Sequence, residues 1–311
     1  MPAPFLSEPY AVAVTQAILP IFLLIIVGYL LSRRGALTAE NNKALGNLAF
    51  KLFMPMVLFT GMAKAPLHDG LNMTVLVAYF VPALAVFALV NLVIHRYAGH
   101  PTPFGLTAAF GNNALMGIPL VGGLFGSSGL VLLFTVLAVH SLLLFSFQSL
   151  YNSLAGSEPF NARTLTGSLA NPMIIGLLLG VLLNLSELSL PGWADHFTTW
   201  LAQAALPCAL IVLGANLAGY RLRPSPEAIG IALAKLIALP ALVLLACMTL
   251  GVTGVARGVL VLMAANPCGV NVLGFSRTLE DSQKTSSAIC LSTLLSALTL
   301  PLWMWINLQL A

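Results

Sequence analysis

Charge is what this chain mostly lacks. Only 7% of its 311 residues are Asp, Glu, Lys or Arg and 59% are hydrophobic, where a soluble domain carries roughly 25% charged residues. That poverty excludes a water-soluble globule and predicts an all-α integral membrane protein. The acids, Glu8, Glu40, Asp69, Glu158, Glu187, Asp195, Glu227, Glu280 and Asp281, all fall in gaps between apolar runs. No carboxylate pair is therefore expected at membrane depth for aspartyl chemistry, and no intramembrane carboxylate to carry Na⁺ or H⁺. The sequence has no H-E-x-x-H and no G-x-x-x-x-G-K-[ST], the patterns that would hold zinc or cradle ATP phosphates. Its cysteines, Cys208, Cys247, Cys268 and Cys290, lie in apolar runs without C-x-x-C spacing and read as small core residues. The net charge of +4 is scattered through short loops and forms no basic stripe for nucleic acid. No catalytic residue, metal or cofactor is expected.

What is present in abundance is helix-length apolar sequence. A membrane helix needs about 20 mostly apolar residues. Runs of that kind lie near 14–32, 43–63, 72–95, 104–124, 129–152, 165–185, 197–218, 227–250, 256–276 and 285–308, which predicts ten spans and leaves no room for a soluble domain. The first run is preceded by Glu8 and followed by Arg33 and Arg34, the wrong charge order for a cleaved signal peptide, so it counts as a span. Loops after the odd-numbered spans hold Arg33, Arg34, Lys43, Arg96, Arg163, Arg221, Arg223, Arg277 and Lys284, and the opposite side holds Lys64 and Arg257. Because cytoplasmic loops retain Lys and Arg, both termini are expected outside the cytoplasm, in a cell (inner) membrane.

The two halves of the chain look like duplicates. "LPIFLLIIVGYLL" in span 1 matches "NPMIIGLLLGVLL" in span 6, and "FMPMVLFTG" in span 2 matches "LPCALIVLG" in span 7. Pro20 and Pro172 are 152 positions apart, as are Pro55 and Pro207. Five spans per half is an odd number, so the repeats, 1–155 and 156–311, must be inverted. To within two residues the same offset relates two interrupted spans, "AFGNNALMGIPLVGG" at 109–123 and "MAANPCGVNVLGF" at 263–275, with Asn112 and Asn266 154 positions apart. Backbone freed by Pro or Gly at membrane depth is tolerated only where it is buried in protein or lines a wet cavity. Either break alone is equally readable as a kink with asparagines bonded between helices; as a mirrored pair they point to a transporter's midplane site. Asn112, Asn113 and Gly117 from the first break, and Asn266, Pro267, Gly269 and Asn271 from the second, are the candidate substrate-binding residues. Resumed half-helices present N–H groups and partial positive charge that suit an anion.

Three further residues are candidates for coupling or charge. Lys51 and Lys235 lie in spans 2 and 8, roughly 12–15 Å from the cytoplasmic end at 1.5 Å per residue; each is either a site residue or a snorkelling lysine. His140 in span 5 either relays protons or bonds a neighbouring backbone group. An enzyme reading fails on distance. "GSSG" at 126–129 resembles the Gly-x-Ser-Gly of intramembrane serine proteases, but Ser128 and His140 are 12 residues apart, roughly 18 Å along a helix. It reads better as the turn between spans 4 and 5.

"NNALMGIPL" followed by "NPCGVNVLGFSR" resembles the paired crossover segments of the auxin efflux carrier family, over the whole chain. In plant members a Pro-Asn pair precedes the Met-Gly-Ile-Pro run; Gly111-Asn112 stands there here, so the resemblance gives Asn112 the family's carboxylate-binding role. Pro267 takes the place of the crossover proline. The resemblance implies a scaffold of spans 1, 2, 6 and 7 that forms a homodimer, and a moving unit of spans 3, 4, 5, 8, 9 and 10 with spans 4 and 9 crossing. The segment Pro267–Asn271 is similar to bacterial members taken as malonate carriers. The expectation is a secondary transporter of a small organic anion, a carboxylate such as malonate or an auxin-like acid, working by alternating access in the lipid bilayer. The alternative is a passive anion channel or sensor-like protein using the same cavity.

Overall fold

The computed structural model describes residues 10–64, 73–155, 172–220 and 225–310. Glu8, Asp69, Glu158, Arg163, Arg221, Arg223 and the first residues of the sixth apolar run lie outside them. Among the described residues the chain is all helical apart from one isolated β-bridge. The helices are α1 (Tyr10–Arg33), α2 (Ala39–Leu48), α3 (Met54–Ala63), α4 (Met73–Ala98), α5 (Phe104–Ala109), α6 (Ile118–Ala155), α7 (Pro172–Leu185), α8 (Gly192–Gly219), α9 (Pro226–Leu233), α10 (Leu239–Thr249), α11 (Gly254–Ala265) and α12 (Leu279–Gln309).

Seven described stretches are long and apolar enough to cross a bilayer, α7 and α11 being shorter apolar helices. The difference from ten predicted spans has local causes. The fourth run is cut after Ala109 and resumes at Asn113, then continues into the fifth across Gly126. Gly126 takes φ 62° and ψ −154°, a conformation essentially reserved for glycine, so the expected turn at "GSSG" is a one-residue break. The ninth run stops at Ala265 because Asn266 precedes a proline and is held extended at ψ 148°.

Two wide turns join α2 to α3 and α9 to α10, at Ala49–Phe53 and Ala234–Ala238. Pro55 and Pro240 follow them, and each proline removes an N–H and crowds the carbonyl four residues back. For Pro240 that carbonyl is Leu236, and it accepts Trp303 Nε1–H at 2.7 Å. The helices also begin earlier than the apolar runs. Thr278 Oγ1 caps α12 at the N–H of Asp281 (3.0 Å) and Ser225 Oγ caps α9 at Ala228 (3.1 Å). Asp281, expected in a loop gap, is thereby in the first turn of α12 and buried.

The chain divides into two compact units. Unit 1 comprises the described residues of Met1–Gly70, Ile118–Ala138 and Gly167–Gly219. In it α1 packs on α8, and α3 on α7 and α8. Gly28 and Gly214 make the first packing reciprocal: a side chain at either would strike the carbonyl of Ile211 or Ile25 on the other helix. Unit 2 comprises Leu71–Gly117, Val139–Thr166 and Tyr220–Ala311, again where described. Here α4 packs on α5, α10 and α11, while α12 packs on α9 and α11.

Candidate functional site

Both sequence breaks lie in unit 2, and they meet. Gly111 and Cys268 form the antiparallel β-bridge. The Asn112 N–H donates to the Pro267 carbonyl at 2.8 Å, and the Gly269 N–H to the Phe110 carbonyl at 2.9 Å. Each break thus supplies the main-chain partners that the other lost when its helix stopped. Close approach requires the glycines: a Cβ on Gly111 would lie 3.0 Å from Asn113 Oδ1 and 3.1 Å from the Met263 carbonyl, and one on Gly269 would run into the Phe110 ring.

Polar side chains surround this bridge. Asn266 Nδ2 donates to Asn113 Oδ1 at 2.9 Å, and Asn113 Nδ2 donates to Tyr79 Oη at 3.1 Å. The side-chain bond between the breaks therefore reaches Asn113, not Asn112. Asn112, Asn113 and Asn266 are 5%, 1% and 0% exposed. Asn112 Nδ2, a donor, and Asn266 Oδ1, an acceptor, are buried without a partner among the described residues. Buried polar groups are seldom left so, and those that are mark a place for water or a ligand. Cys268 N–H is held by Ser292 Oγ at 3.1 Å.

The two lysines separate sharply. Lys51 lies in the wide turn Ala49–Phe53 of unit 1 and is exposed, as a snorkelling side chain would be. Lys235 lies in the matching turn of unit 2 and is fully buried, which overturns snorkelling for it. Its ammonium donates to the Ala264 carbonyl. Ala264 is in the last turn of α11, where helix carbonyls lack intrahelical partners and carry partial negative charge. A cation is thereby held two residues from Asn266, and no carboxylate among the described residues pairs with it. Its electrostatic neighbours are His140 and Cys268.

His140, on α6, is fully buried beside the Phe110 ring (centroids 4.5 Å apart) and the Tyr79 ring (5.7 Å). Neither ring nitrogen has a hydrogen-bond partner of good geometry, the Gly111 backbone being its nearest polar neighbour. Gly117 closes the wide turn Asn113–Gly117 and is buried, as are Pro267 and Gly269. Asn271 sits on the turn Val270–Phe275 and is exposed. Sequence reading missed Tyr79 and Ser292, which hold Asn113 and Cys268. A tyrosine in an apolar run was the available signal for the first; a serine on a long helix carried none. No group of three or more His, Cys, Asp or Glu among the described residues is placed to hold a metal ion.

A family model described as "Membrane transport protein" matches residues 13–304. An uncharacterized transporter of Methanothermobacter thermautotrophicus is 29% identical over 299 residues, covering 93% of this chain and 97% of the relative. A protein of Rhizobium meliloti named "Putative malonate transporter" is 28% identical over 299 residues, covering 92% of this chain and 93% of its own. An uncharacterized transporter of Methanocaldococcus jannaschii is 25% identical over 324 residues, with 94% and 99% covered. Paired helix breaks in an apolar all-helical chain and a match over nearly its whole length lead to one conclusion: this multi-pass membrane protein belongs to the membrane transport protein family of the auxin efflux carriers and is a transporter, not an enzyme.

Proposed function

We propose that the protein is a secondary carrier of a small carboxylate, bound at the bridge between the two helix breaks. The observation that carries this reading is an unpartnered Asn112 amide donor in the same unit as a buried Lys235 that no carboxylate among the described residues pairs with. A buried ammonium without a counter-charge is expensive, and a carboxylate would supply that charge while accepting from Asn112. Asn113, Asn266, Gly117, Pro267 and Gly269 shape the site, Asn271 closes it when substrate is bound, and His140 lends a neutral imidazole. The relative named for malonate makes a short dicarboxylate the first substrate to try, with an auxin-like aromatic acid as the second.

The architecture in this proposal is ten spans in a 5+5 inverted repeat. Unit 1 serves as the scaffold, a homodimer through its exposed apolar helix faces, and unit 2 as the moving body of an alternating-access cycle. Both termini face outward, so a reporter that is active only in the cytoplasm should stay silent when fused at Ala311.

The test is uptake into proteoliposomes. Labelled malonate, or failing that an aromatic monocarboxylate, should accumulate against its gradient when a membrane potential is imposed and should collapse with it. Asn112→Ala should abolish that uptake. Flux far above carrier turnover, insensitive to Asn112, would make the protein a channel.

A further inference from the structure

At another place in unit 2, the end of α4, the loop that follows it and the beginnings of α5, α9 and α12 enclose a cleft of about 590 Å³, within the range of roughly 300–1,000 Å³ typical of small-molecule sites. Its charge is opposite to that of the crossing. Glu227, Glu280 and Asp281 line it against one ammonium, Lys284, and one imidazole, His100, whose Nδ1 lies 3.2 Å from the Pro101 carbonyl. Lys284 is already engaged twice, by Glu227 at 2.7 Å and Glu280 at 2.8 Å. No cation among the described residues pairs with Asp281: it is 4% exposed, and its Oδ2 is buried without a hydrogen-bond partner there. Thr102 Oγ1, on the same lining, is likewise buried and unpartnered at 2% exposure.

We propose that this cleft binds a small organic cation, an ammonium carried on an apolar body. A second positive charge would satisfy Asp281, and its N–H groups would reach Thr102. Ile94, Tyr97 and Phe104 supply the apolar and aromatic wall for the body. A bare metal ion fits less well, because the described acids do not converge as a ligand set and the cleft is far larger than one ion. An anionic substrate would be repelled here, so the site is distinct from the crossing and does not depend on what is carried there.

Calorimetry on the purified full-length protein tests this, with benzylammonium as probe, benzyl alcohol as its neutral counterpart and MgCl₂ as competitor at constant ionic strength. Saturable binding of benzylammonium alone is expected, undisturbed by Mg²⁺. Asp281→Asn should weaken it about tenfold or more, the cost of losing a charge-assisted hydrogen bond. If that change unfolds the start of α12, Thr102→Val should still weaken binding roughly threefold to tenfold. Asn112→Ala should bind benzylammonium as the wild type does, so that failure at the crossing and failure at the cleft are read separately. Absence of saturable binding, equal binding of benzyl alcohol, displacement by Mg²⁺, or wild-type affinity in a folded Asp281→Asn or Thr102→Val protein would each overturn the proposal.

Discussion

The two units solve the same problem, burying helices in a chain with little charge, in opposite ways. Unit 1 packs backbone against backbone at Gly28 and Gly214 and buries few polar side chains, Asn42 among the described residues, where unit 2 buries seventeen. Twelve buried side-chain nitrogen or oxygen atoms lack a partner among the described residues; one, Asn42 Oδ1, is in unit 1, and eleven are in unit 2. Each such atom forfeits about 1–3 kcal/mol of desolvation. A domain selected only for stability would not concentrate them. The contrast is between a unit whose described core is almost wholly apolar and one whose core is rich in polar groups.

The largest effect should come from breaking the first of these designs. Gly214→Leu drives a branched side chain into the Ile25 carbonyl on α1, overpacking that costs about 1–3 kcal/mol or more. The expected outcome is loss of a monodisperse protein peak after detergent extraction. A well-behaved variant with normal melting would mean that α1 and α8 are not in fixed contact.

Next comes the polar unit. Asn112→Ala should weaken carboxylate binding roughly 10–150-fold, from about 1.5–3 kcal/mol for a hydrogen bond to a charge, with little change in melting temperature because Asn112 Nδ2 is already unpartnered. Titration of substrate by thermal shift reads both quantities at once. Lys235→Met should lower affinity by about tenfold or more while leaving the protein as stable or more so, since replacing a buried charge by an apolar side chain of similar volume is often stabilising. A Lys235→Met protein that binds normally but melts much earlier would make the lysine a helix cap and nothing else. Ser128→Ala should be nearly silent, within about 0.5 kcal/mol in stability and unchanged in uptake, because it is exposed, beyond the Gly126 break and in unit 1. Loss of uptake there would move the site out of unit 2.

The membrane class and both interruptions were legible in the sequence because lipid punishes unpaired backbone, so Asn, Gly and Pro inside an apolar run have few innocent explanations. Which asparagine would meet which was not. Matching by repeat offset pairs Asn112 with Asn266, but the β-bridge sets residue 111 opposite 268, and it is Asn113 that reaches Asn266. Nor could sequence distinguish Lys51 from Lys235, which lie at similar depth in similar turns. The difference is a tertiary one: the last turn of α11 offers Lys235 a carbonyl, while Lys51 is exposed. Asp281 escaped notice because a polar cap at Thr278 starts α12 six residues ahead of the apolar run near 285–308.

The bridge between the breaks is made entirely of main-chain atoms, from Asn112 to Pro267 and from Gly269 to Phe110. Such a joint is indifferent to most side chains. The side chain at 112, whose amide donor has no partner among the described residues, can therefore be exchanged without dismantling the frame that presents it, provided that the glycines at 111 and 269 keep the strands close and Asn113 and Asn266 keep their bond to each other. If cargo is held at this mount as proposed, a library randomised at 112 alone should yield altered preferences far more often than unfolded chains, whereas changes at 113 or 266 should cost stability as well.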